Sequence, residues 1–315
     1  MPAFYATAPG KIILFGEHAV VYGRPAIAVP VLQVRAKATV NFDPRAAPGL
    51  VKVRAPDIGL EASLSDLPEN HPIAAVLRKA ASTMQLSHIP ACTIQVTSTI
   101  PIAGGMGSGA AVSVALLRAL SAALGHPLAD EQVSTLAYEV EVIHHGTPSG
   151  IDNAVIAYAK PVWYVKGKAI ETLQVLRPFT LLIGDTGVQS PTASVVSEVR
   201  QDWENAGEQF ERLFDAVGAV ALAARQAIET GAVDALGPLM DDNQALLHQI
   251  GVSSTELDGL VEAARAAGAL GAKLSGAGRG GNMIALVTPG SSERVARALV
   301  DAGAVRTITT EVRGT

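Results

Sequence analysis

The residues with the clearest chemical potential lie between Pro101 and Ala111 and read Pro-Ile-Ala-Gly-Gly-Met-Gly-Ser-Gly-Ala-Ala. Glycines at this density allow positive φ angles and place no β-carbons between the backbone and a ligand. The alternating segment Thr93–Thr97 predicts a strand before the glycines, whereas 108–124 has the apolar spacing of a helix. Amides at the start of a helix have no partner within it and lie at the positive end of its dipole. The segment therefore predicts an anion site, most simply a phosphate-binding loop.

Two other nucleotide motifs share part of this pattern. Gly105–Ala110 fits the dinucleotide pattern G-x-G-x-x-[GA], which requires a second strand about 20 residues later that ends in an acidic residue. Here 125–131 indicates a turn and the start of another helix, so the dinucleotide interpretation is disfavoured. No Lys-Ser or Lys-Thr follows the glycines, which excludes a Walker A loop. A glycine-rich turn that serves only close packing is the alternative without a ligand.

Three ionisable residues stand where they are costly unless they serve a site, and a fourth follows a turn. Glu17 and His18 interrupt a largely apolar run, where a surface turn is the alternative. Glu141 lies near the end of a predicted helix, where the negative end of the dipole disfavours a carboxylate unless a cation lies nearby. Asp152 follows the turn-rich segment 146–150. These residues are candidates for binding or catalysis.

The remaining pattern predicts the strands and helices that position these residues. The predicted strands are 11–15, 25–29, 33–42, 93–97, 180–183, 283–287 and 304–312, with 50–53 as an edge strand and short strands within 160–174. The predicted helices are 71–84, 108–124, 130–145, 192–230, 232–250, 254–267 and 291–302. Ser253 and Glu256 form a predicted capping box. We expect two domains, 1–175 and 176–315.

Composition limits the class of protein. Of the 315 residues, 49% are hydrophobic but only 4% aromatic, which predicts a compact core of small aliphatic side chains packed between helices and sheets. A net charge of −5 without a long basic run argues against a nucleic-acid or anionic membrane surface. The single cysteine, Cys92, excludes an internal disulfide and indicates a reducing compartment. Without a signal pattern or a long apolar run, we expect a soluble cytoplasmic protein.

Three segments, in chain order, resemble the three motifs of the GHMP kinases. Residues 9–23, Pro-Gly-Lys-Ile-Ile-Leu-Phe-Gly-Glu-His-Ala-Val-Val-Tyr-Gly, resemble the first motif, and Pro101–Ala111 resembles the second, Pro-x-x-x-Gly-Leu-Gly-Ser-Ser-Ala. Lys273–Gly281 is similar to the third. The resemblance covers the whole chain and implies an α+β, two-domain GHMP kinase fold. Its N-terminal, ATP-binding and catalytic domain would be ribosomal-S5-domain-2-like and its C-terminal GHMP domain ferredoxin-like, with the site in the cleft between them.

The resemblance also implies roles for single residues. Asp152 matches the catalytic base, and Lys11 matches the lysine that is paired with it and stabilises charge near the transferring phosphoryl group. Glu141, with Ser108, matches the Mg²⁺ ligands. The implied ATP- and phosphate-binding residues are Gly104, Gly105, Met106, Gly107, Ser108, Gly109 and Ala110. The implied substrate-binding residues are Glu17, His18, Ser149, Thr192, Gly276 and Ala277.

The first motif indicates which alcohol is phosphorylated. Galactose-phosphorylating members usually continue Gly-Glu-His with Thr-Asp, whereas this chain continues with 19–22, Ala-Val-Val-Tyr, which favours mevalonate. The resemblance therefore implies ATP-dependent phosphorylation of mevalonate to 5-phosphomevalonate for isoprenoid biosynthesis, with Mg²⁺ as cofactor. A homodimer is the oligomeric state expected from the family. Two alternatives stay open: a family kinase of another small alcohol, such as a sugar or a phosphorylated mevalonate, and a nucleotide-binding sensor without turnover.

Four residues depart from the family pattern. Met106 replaces a leucine, and Gly109 replaces the second serine of the phosphate loop, whose hydroxyl reaches Mg²⁺ in relatives. Arg279 and Asn282 replace the usual glycine and cysteine of the third motif. The changes at Gly109 and Arg279 motivate the sensor alternative, whereas retention of the implied catalytic residues speaks against it.

Overall fold

The structure is a computed structural model that describes residues 3–101, 104–145, 148–190 and 192–314. Its strands are β1 (Phe4–Phe15), β2 (Ala26–Phe42), β3 (Val51–Ala55), β4 (Leu60–Ser63), β5 (Cys92–Ser98), β6 (Val162–Tyr164), β7 (Glu171–Thr172), β8 (Phe179–Asp185), β9 (Gly271–Ser275), β10 (Asn282–Val287) and β11 (Arg306–Val312). Its helices are α1 (Pro72–Thr83), α2 (Ser108–Ala123), α3 (Asp130–His145), α4 (Ile151–Tyr158), α5 (Thr192–Asn205), α6 (Gly207–Thr230), α7 (Leu236–Ile250), α8 (Thr255–Ala266) and α9 (Ser292–Asp301). Short 3₁₀ helices cover Ala19–Tyr22, Pro56–Ile58 and Val233–Ala235.

Packing divides the chain into two compact units built from interleaved segments. The first unit comprises Met1–Gly10, Val34–Pro101 and Gly107–Ala159. The second unit comprises Lys11–Gln33, Ile102–Met106 and Lys160–Thr315. The two domains predicted from the sequence are continuous stretches instead, and their boundary near residue 175 stays a prediction.

In the first unit, helices pack around α2. This helix contacts α1, α3, α4 and β5, and its buried residues cover most of its circumference. Alanines make up many of those residues, and their small side chains let several neighbours approach closely. In this unit, β4, β3, β5 and the part of β2 from Val34 onward follow the order β4-β3-β5-β2, with β3 parallel to β5. The central helix is thus held on several sides, and its N-terminus carries the glycine loop.

The second unit contains an antiparallel four-stranded sheet in the order β11-β8-β10-β9. With the helices between β8 and β9 and with α9 between β10 and β11, this is the βαββαβ arrangement of ferredoxin-like domains, as predicted. Side chains of α7 cover the edge strand β9. Asp241 Oδ1 accepts from Ala272 N at 3.1 Å, and Gln244 Oε1 accepts from Leu274 N at 2.8 Å. The edge amides therefore have partners without another strand.

Most predicted elements are confirmed, but the strands predicted at 25–29 and 33–42 form the single strand β2, and two further predictions are wrong. The segment predicted at 50–53 as an edge strand is β3, which lies between β5 and β4, so β4 forms the edge. The helix predicted over 192–230 is interrupted at Ala206, whose φ of −134° leaves the helical region just before Gly207. A break of one residue leaves the apolar periodicity on both sides nearly intact, so the pattern could not reveal it.

The predicted capping box at Ser253 and Glu256 is also wrong by one residue. The N-cap of α8 is Ser254, whose side chain accepts from Leu257 N at 3.3 Å. Ser253 is engaged elsewhere, since its hydroxyl donates to Asp258 Oδ1 at 2.6 Å. The glutamate three residues after Ser253 favoured that serine, but the neighbouring serine, without such a glutamate, forms the cap.

Two elements near the candidate site were not predicted. Helix α4 has no predicted counterpart, because an apolar run as short as 154–157 fits a strand or a helix equally well. Strand β9 has no predicted counterpart, because its central residue is a lysine and it begins with glycine. Within the described ranges, no helix is both long and apolar enough to cross a membrane.

Candidate active site

The first unit brings a carboxylate of α3 to the start of α2. Helix α2 follows Gly107, which has a φ of 71°, and no side chain caps its first turn. Its first amides therefore have no intrahelical partner and can bind an anion. A β-carbon at Gly109 would lie 3.4 Å from Glu141 Oε1, so this carboxylate faces the first turn of α2. The positive end of α2 thus offsets the unfavourable position of Glu141 near the end of its own helix.

This arrangement fits a magnesium ion. An anion bound at the first turn of α2 would be repelled by the Glu141 carboxylate unless a cation lay between them. Mg²⁺ suits such a site, since it takes oxygen ligands and keeps several waters while one or two carboxylates and substrate phosphates hold it. In the part of the chain that the structure describes, no three His, Cys, Asp or Glu side chains form a metal cluster.

Asp152 lies in the first turn of α4, which follows Gly150 at a φ of 86°. A carboxylate is favourable there because the helix dipole places positive potential at the N-terminus. The neighbouring Asn153 is buried and donates through Nδ2 to Ser134 O at 3.1 Å and to Ser134 Oγ at 3.0 Å. Ser149 Oγ accepts from Ile151 N at 3.4 Å. These bonds fix the turn that carries Asp152 against α3.

In the second unit, two bonds hold the first half of the glycine loop. Lys11, which is 4% exposed on β1, donates its backbone N–H to Met106 O at 3.0 Å. Asn282, at the start of β10, donates through Nδ2 to Gly104 O. One of the departures from the family pattern, Asn282, thus binds the loop directly. Residues 104–106 are therefore anchored at both ends.

Asn282→Ala is expected to raise the KM for ATP about threefold to tenfold while kcat changes less, because Gly104 O loses its buried partner. Steady-state kinetics with varied ATP would measure this. Asn282→Cys restores the residue usual in the family. Its KM for ATP should lie between those of the wild type and Asn282→Ala. An unchanged KM in both variants would show that this bond does not hold the loop for nucleotide.

Glu17 and His18 lie in the second unit and are both buried. Glu17 forms an ion pair with Lys273, and both side chains have no exposed surface. Burial raises the pKa of Glu17 and lowers the pKa of Lys273, while the opposite charge of each partner acts against these shifts. His18 Nε2 lies 2.8 Å from Ala277 O. A carbonyl oxygen can only accept, so Nε2 carries the proton.

The state of His18 follows from that bond. Burial lowers the pKa of His18 to about 4, so the ring is neutral near pH 7. With the proton on Nε2, the remaining nitrogen Nδ1 is a hydrogen-bond acceptor. A neutral acceptor suits a hydroxyl group, whereas it would not pair with a carboxylate.

The third glycine segment approaches other backbone closely. A β-carbon at Gly278 would lie 1.9 Å from Val252 O, which excludes any other residue there without rearrangement. Arg279 has a φ of 55°, a value at which glycine is usual, and its side chain forms an ion pair with Glu198 of α5. Helix α5 begins at the exposed Thr192. The arginine in place of glycine therefore links this loop to the helix that carries Thr192.

The structure distributes the predicted site residues between the two units. The first unit contains Gly107, Ser108, Gly109, Ala110, Glu141, Ser149 and Asp152. The second contains Lys11, Glu17, His18, Gly104, Gly105, Met106, Thr192, Gly276 and Ala277. Their roles toward ATP, Mg²⁺ and the alcohol stay predictions. Sequence reasoning missed Lys273, although a lysine in an apolar run is the same signal that singled out Glu17.

Comparison with known proteins agrees with these features. The family model described as GHMP kinases N terminal domain matches residues 71–160, and the one described as GHMP kinases C terminal matches residues 224–305. A mevalonate kinase of Thermococcus gammatolerans is 39% identical, over 96% of this chain and 95% of the relative. One of Pyrococcus horikoshii is 38% identical, over 96% of this chain and 94% of the relative.

A solved structure extends the comparison to the fold. The mevalonate kinase of L. major, in complex with R-mevalonate, matches with a TM-score of 0.83 and 28% identity, over 99% of this chain and 96% of that chain. The identity to the curated relatives spans nearly the whole chain, and both family models match in the predicted order. The resemblance of the three motifs is therefore confirmed: this chain belongs to the GHMP kinase family.

Proposed function

We propose that this protein transfers the γ-phosphoryl group of ATP to the primary hydroxyl of mevalonate and so forms 5-phosphomevalonate. Mevalonate is chosen as the substrate because the chain is 39% identical, over nearly its full length, to a protein named mevalonate kinase. A glycine loop at a helix start alone would not carry it, because kinases of different alcohols can share such a loop. We further propose that the enzyme acts in the cytoplasm, and a homodimer stays a prediction.

The start of α2 would hold the phosphates of ATP. The amides of Ser108, Gly109 and Ala110 lie at its uncapped N-terminus, where a phosphate is favoured. Glu141, with Ser108, would hold Mg²⁺, which when bound would neutralise charge on the phosphate oxygens. Phosphoryl transfer requires mainly positioning and charge neutralisation from the protein, and these groups would supply both.

Asp152 and Lys11 would act on the reacting atoms. The Asp152 carboxylate would accept the proton of the primary hydroxyl as its oxygen forms a bond to the γ-phosphorus. The bond between that phosphorus and the oxygen bridging it to the β-phosphate breaks, and ADP leaves with the electron pair. The Lys11 ammonium group would stabilise negative charge on the transferring group. His18 Nδ1 would accept a hydrogen bond from a substrate hydroxyl. Glu17, Ser149, Thr192, Gly276 and Ala277 are the other residues that the sequence predicts for substrate binding.

A panel of alcohols tests this proposal. ADP release is measured with mevalonate, phosphomevalonate, galactose and homoserine under the same conditions. We expect kcat/KM for mevalonate to exceed that for every other alcohol by about 100-fold or more, the discrimination that unpaired buried polar groups can give. If kcat/KM were highest for another alcohol, that alcohol would be the substrate and the proposal would be wrong. Binding of ATP without ADP release from any alcohol would instead support a sensor.

Gly109→Ser should lower the Mg²⁺ concentration needed for half-maximal rate by about fivefold, equivalent to about 1 kcal/mol. A β-carbon at this position fits, since it would lie 3.4 Å from Glu141 Oε1, and the hydroxyl would add an oxygen beside the carboxylate. The rate is titrated with Mg²⁺ at saturating ATP. Gly109→Ala adds the same β-carbon without the oxygen and is the control. If both variants behave alike, the hydroxyl is no ligand, and Ser108 alone would accompany Glu141.

A further inference from the structure

The segment 273–277 contacts the first motif through every second residue. The bonded pairs are Lys273 with Glu17, Ser275 Oγ with Ile13 O at 2.7 Å, and Ala277 O with His18 Nε2 at 2.8 Å. Lys273 and Ser275 lie two apart on β9, so their side chains point to the same side of the strand. Gly276, with a φ of 96°, ends the extended backbone, and Ala277 contacts His18 through its carbonyl oxygen. The three contacts join this segment to residues 13–18, although the partners are 256 or more positions apart in the sequence.

The ion pair between Lys273 and Glu17 is fully enclosed. Lys273 and Glu17 have no exposed side-chain surface, and Lys273 Nζ also donates to Leu274 O at 2.7 Å. Asn243, which is itself fully buried, donates through Nδ2 to Glu17 Oε2 at 3.4 Å. A buried pair is stabilising only where further hydrogen bonds satisfy it, and removing one partner leaves an uncompensated charge. Both oxygens of the Glu17 carboxylate therefore have partners inside the protein, Lys273 and Asn243.

His18 adopts a backbone conformation that needs support. Its φ of 59° and ψ of −51° are rare for a residue other than glycine, and the 3₁₀ helix Ala19–Tyr22 follows directly. Such strain persists only where the surrounding structure fixes it. The support is the Lys273–Glu17 pair on one side of His18 and the Ala277 carbonyl at its ring.

We propose that Lys273 and Ser275 are positioning residues for the His18 imidazole, and that Glu17 acts through His18 rather than by touching the substrate. Lys273 holds Glu17, which fixes the backbone at His18, while Ser275 holds the end of β1 through Ile13. Ala277 then sets the ring so that Nδ1 is the acceptor. This inference rests on the proposed function, because it places His18 at the alcohol.

A mutant cycle tests the proposal with mevalonate and ATP varied separately. Lys273→Met and Glu17→Gln should each raise the KM for mevalonate about tenfold, because each leaves a buried partner unsatisfied, while the KM for ATP changes less than about twofold. In the double variant, the KM for mevalonate should rise by less than the product of the two single effects, because no buried charge remains. Leu299→Ala, a core deletion in α9, is the control for lost stability and should leave both KM values unchanged.

The same variants separate the inference from direct substrate contact. If Glu17→Gln raises the KM for mevalonate while Lys273→Met does not, Glu17 touches the substrate and the proposal is wrong. If Lys273→Met and Glu17→Gln raised the KM for mevalonate and the KM for ATP equally, the pair would have a purely structural role and the proposal would be wrong. The same conclusion would follow if Leu299→Ala raised the KM for mevalonate as much as they do. Ser275→Ala, which removes only one hydrogen bond, should raise the KM for mevalonate about threefold and covers the case in which Lys273→Met does not fold.

Histidine NMR gives a readout that needs no substrate. In protein labelled with nitrogen-15 in histidine, the His18 signal, assigned by its loss in His18→Gln, should show a proton fixed on Nε2. Lys273→Met and Ser275→Ala should shift that signal toward a mixture of tautomers. An unchanged signal in both folded variants would overturn the proposal. If the wild type fails to phosphorylate mevalonate, the proposed function fails, and this signal still decides whether Lys273 and Ser275 position the ring.

Discussion

Asp152→Asn is expected to lower kcat by at least ~100-fold, with little change in the fold or in ATP affinity, because the amide cannot accept the proton of the attacking hydroxyl. The side chain lies in the first turn of α4, and the adjacent Asn153 holds that turn against α3 through Ser134. An asparagine of nearly the same shape should leave this support intact. Steady-state kinetics, with ATP binding measured by calorimetry, would establish both parts of the prediction.

Glu131→Gln provides the matched control, since Glu131 is an acidic residue in the first turn of the neighbouring helix α3. It loses the same favourable charge at a helix start, and kcat should stay near that of the wild type. If Asp152→Asn turned over at a near-normal rate, Asp152 would have no part in proton transfer. If both variants lost activity equally, the loss would come from helix stability.

Lys11→Met is expected to lower kcat by about 100- to 1000-fold, the scale seen when one preorganised group that stabilises transition-state charge is removed. Methionine keeps a similar length and apolar stem, and the backbone bond from Lys11 N to Met106 O at 3.0 Å does not depend on the side chain. The loss should therefore affect turnover more than the KM for ATP.

The exposed Lys52 on β3 supplies the control for this change, since Lys52→Met removes one positive charge without touching the glycine loop. Its kcat should equal that of the wild type. A rise in the KM for ATP with unchanged kcat in Lys11→Met would mean that this lysine only binds nucleotide. Kinetics at several ATP concentrations distinguish these results.

The elements around the glycine loop could be predicted because their signals are local. The alternation in β5 and the apolar spacing of α2 identify a strand and a helix, and the glycines between them mark the turn. The position of Glu141 near a helix end predicted a nearby cation site, and the structure places its carboxylate beside the start of α2. In each case a few neighbouring residues carried enough information.

The contacts that fix His18 could not be predicted, because they join distant parts of the chain. Lys273 and Glu17 are 256 positions apart, and each is only a charged residue among apolar neighbours in its own segment. Helix α4 was missed for a different reason. Its start depends on the positive φ of Gly150, and a glycine before a short apolar run also fits a turn before a strand.

The product formed from mevalonate and ATP tests the central claim most directly. Phosphorus NMR of the reaction mixture, recorded without proton decoupling, should show a new phosphate monoester signal that is split into a triplet by the methylene protons of the former primary alcohol. ADP should appear in an equal amount. Formation of ADP without this signal, or a monoester signal without coupling to a methylene group, would contradict transfer to the primary hydroxyl of mevalonate.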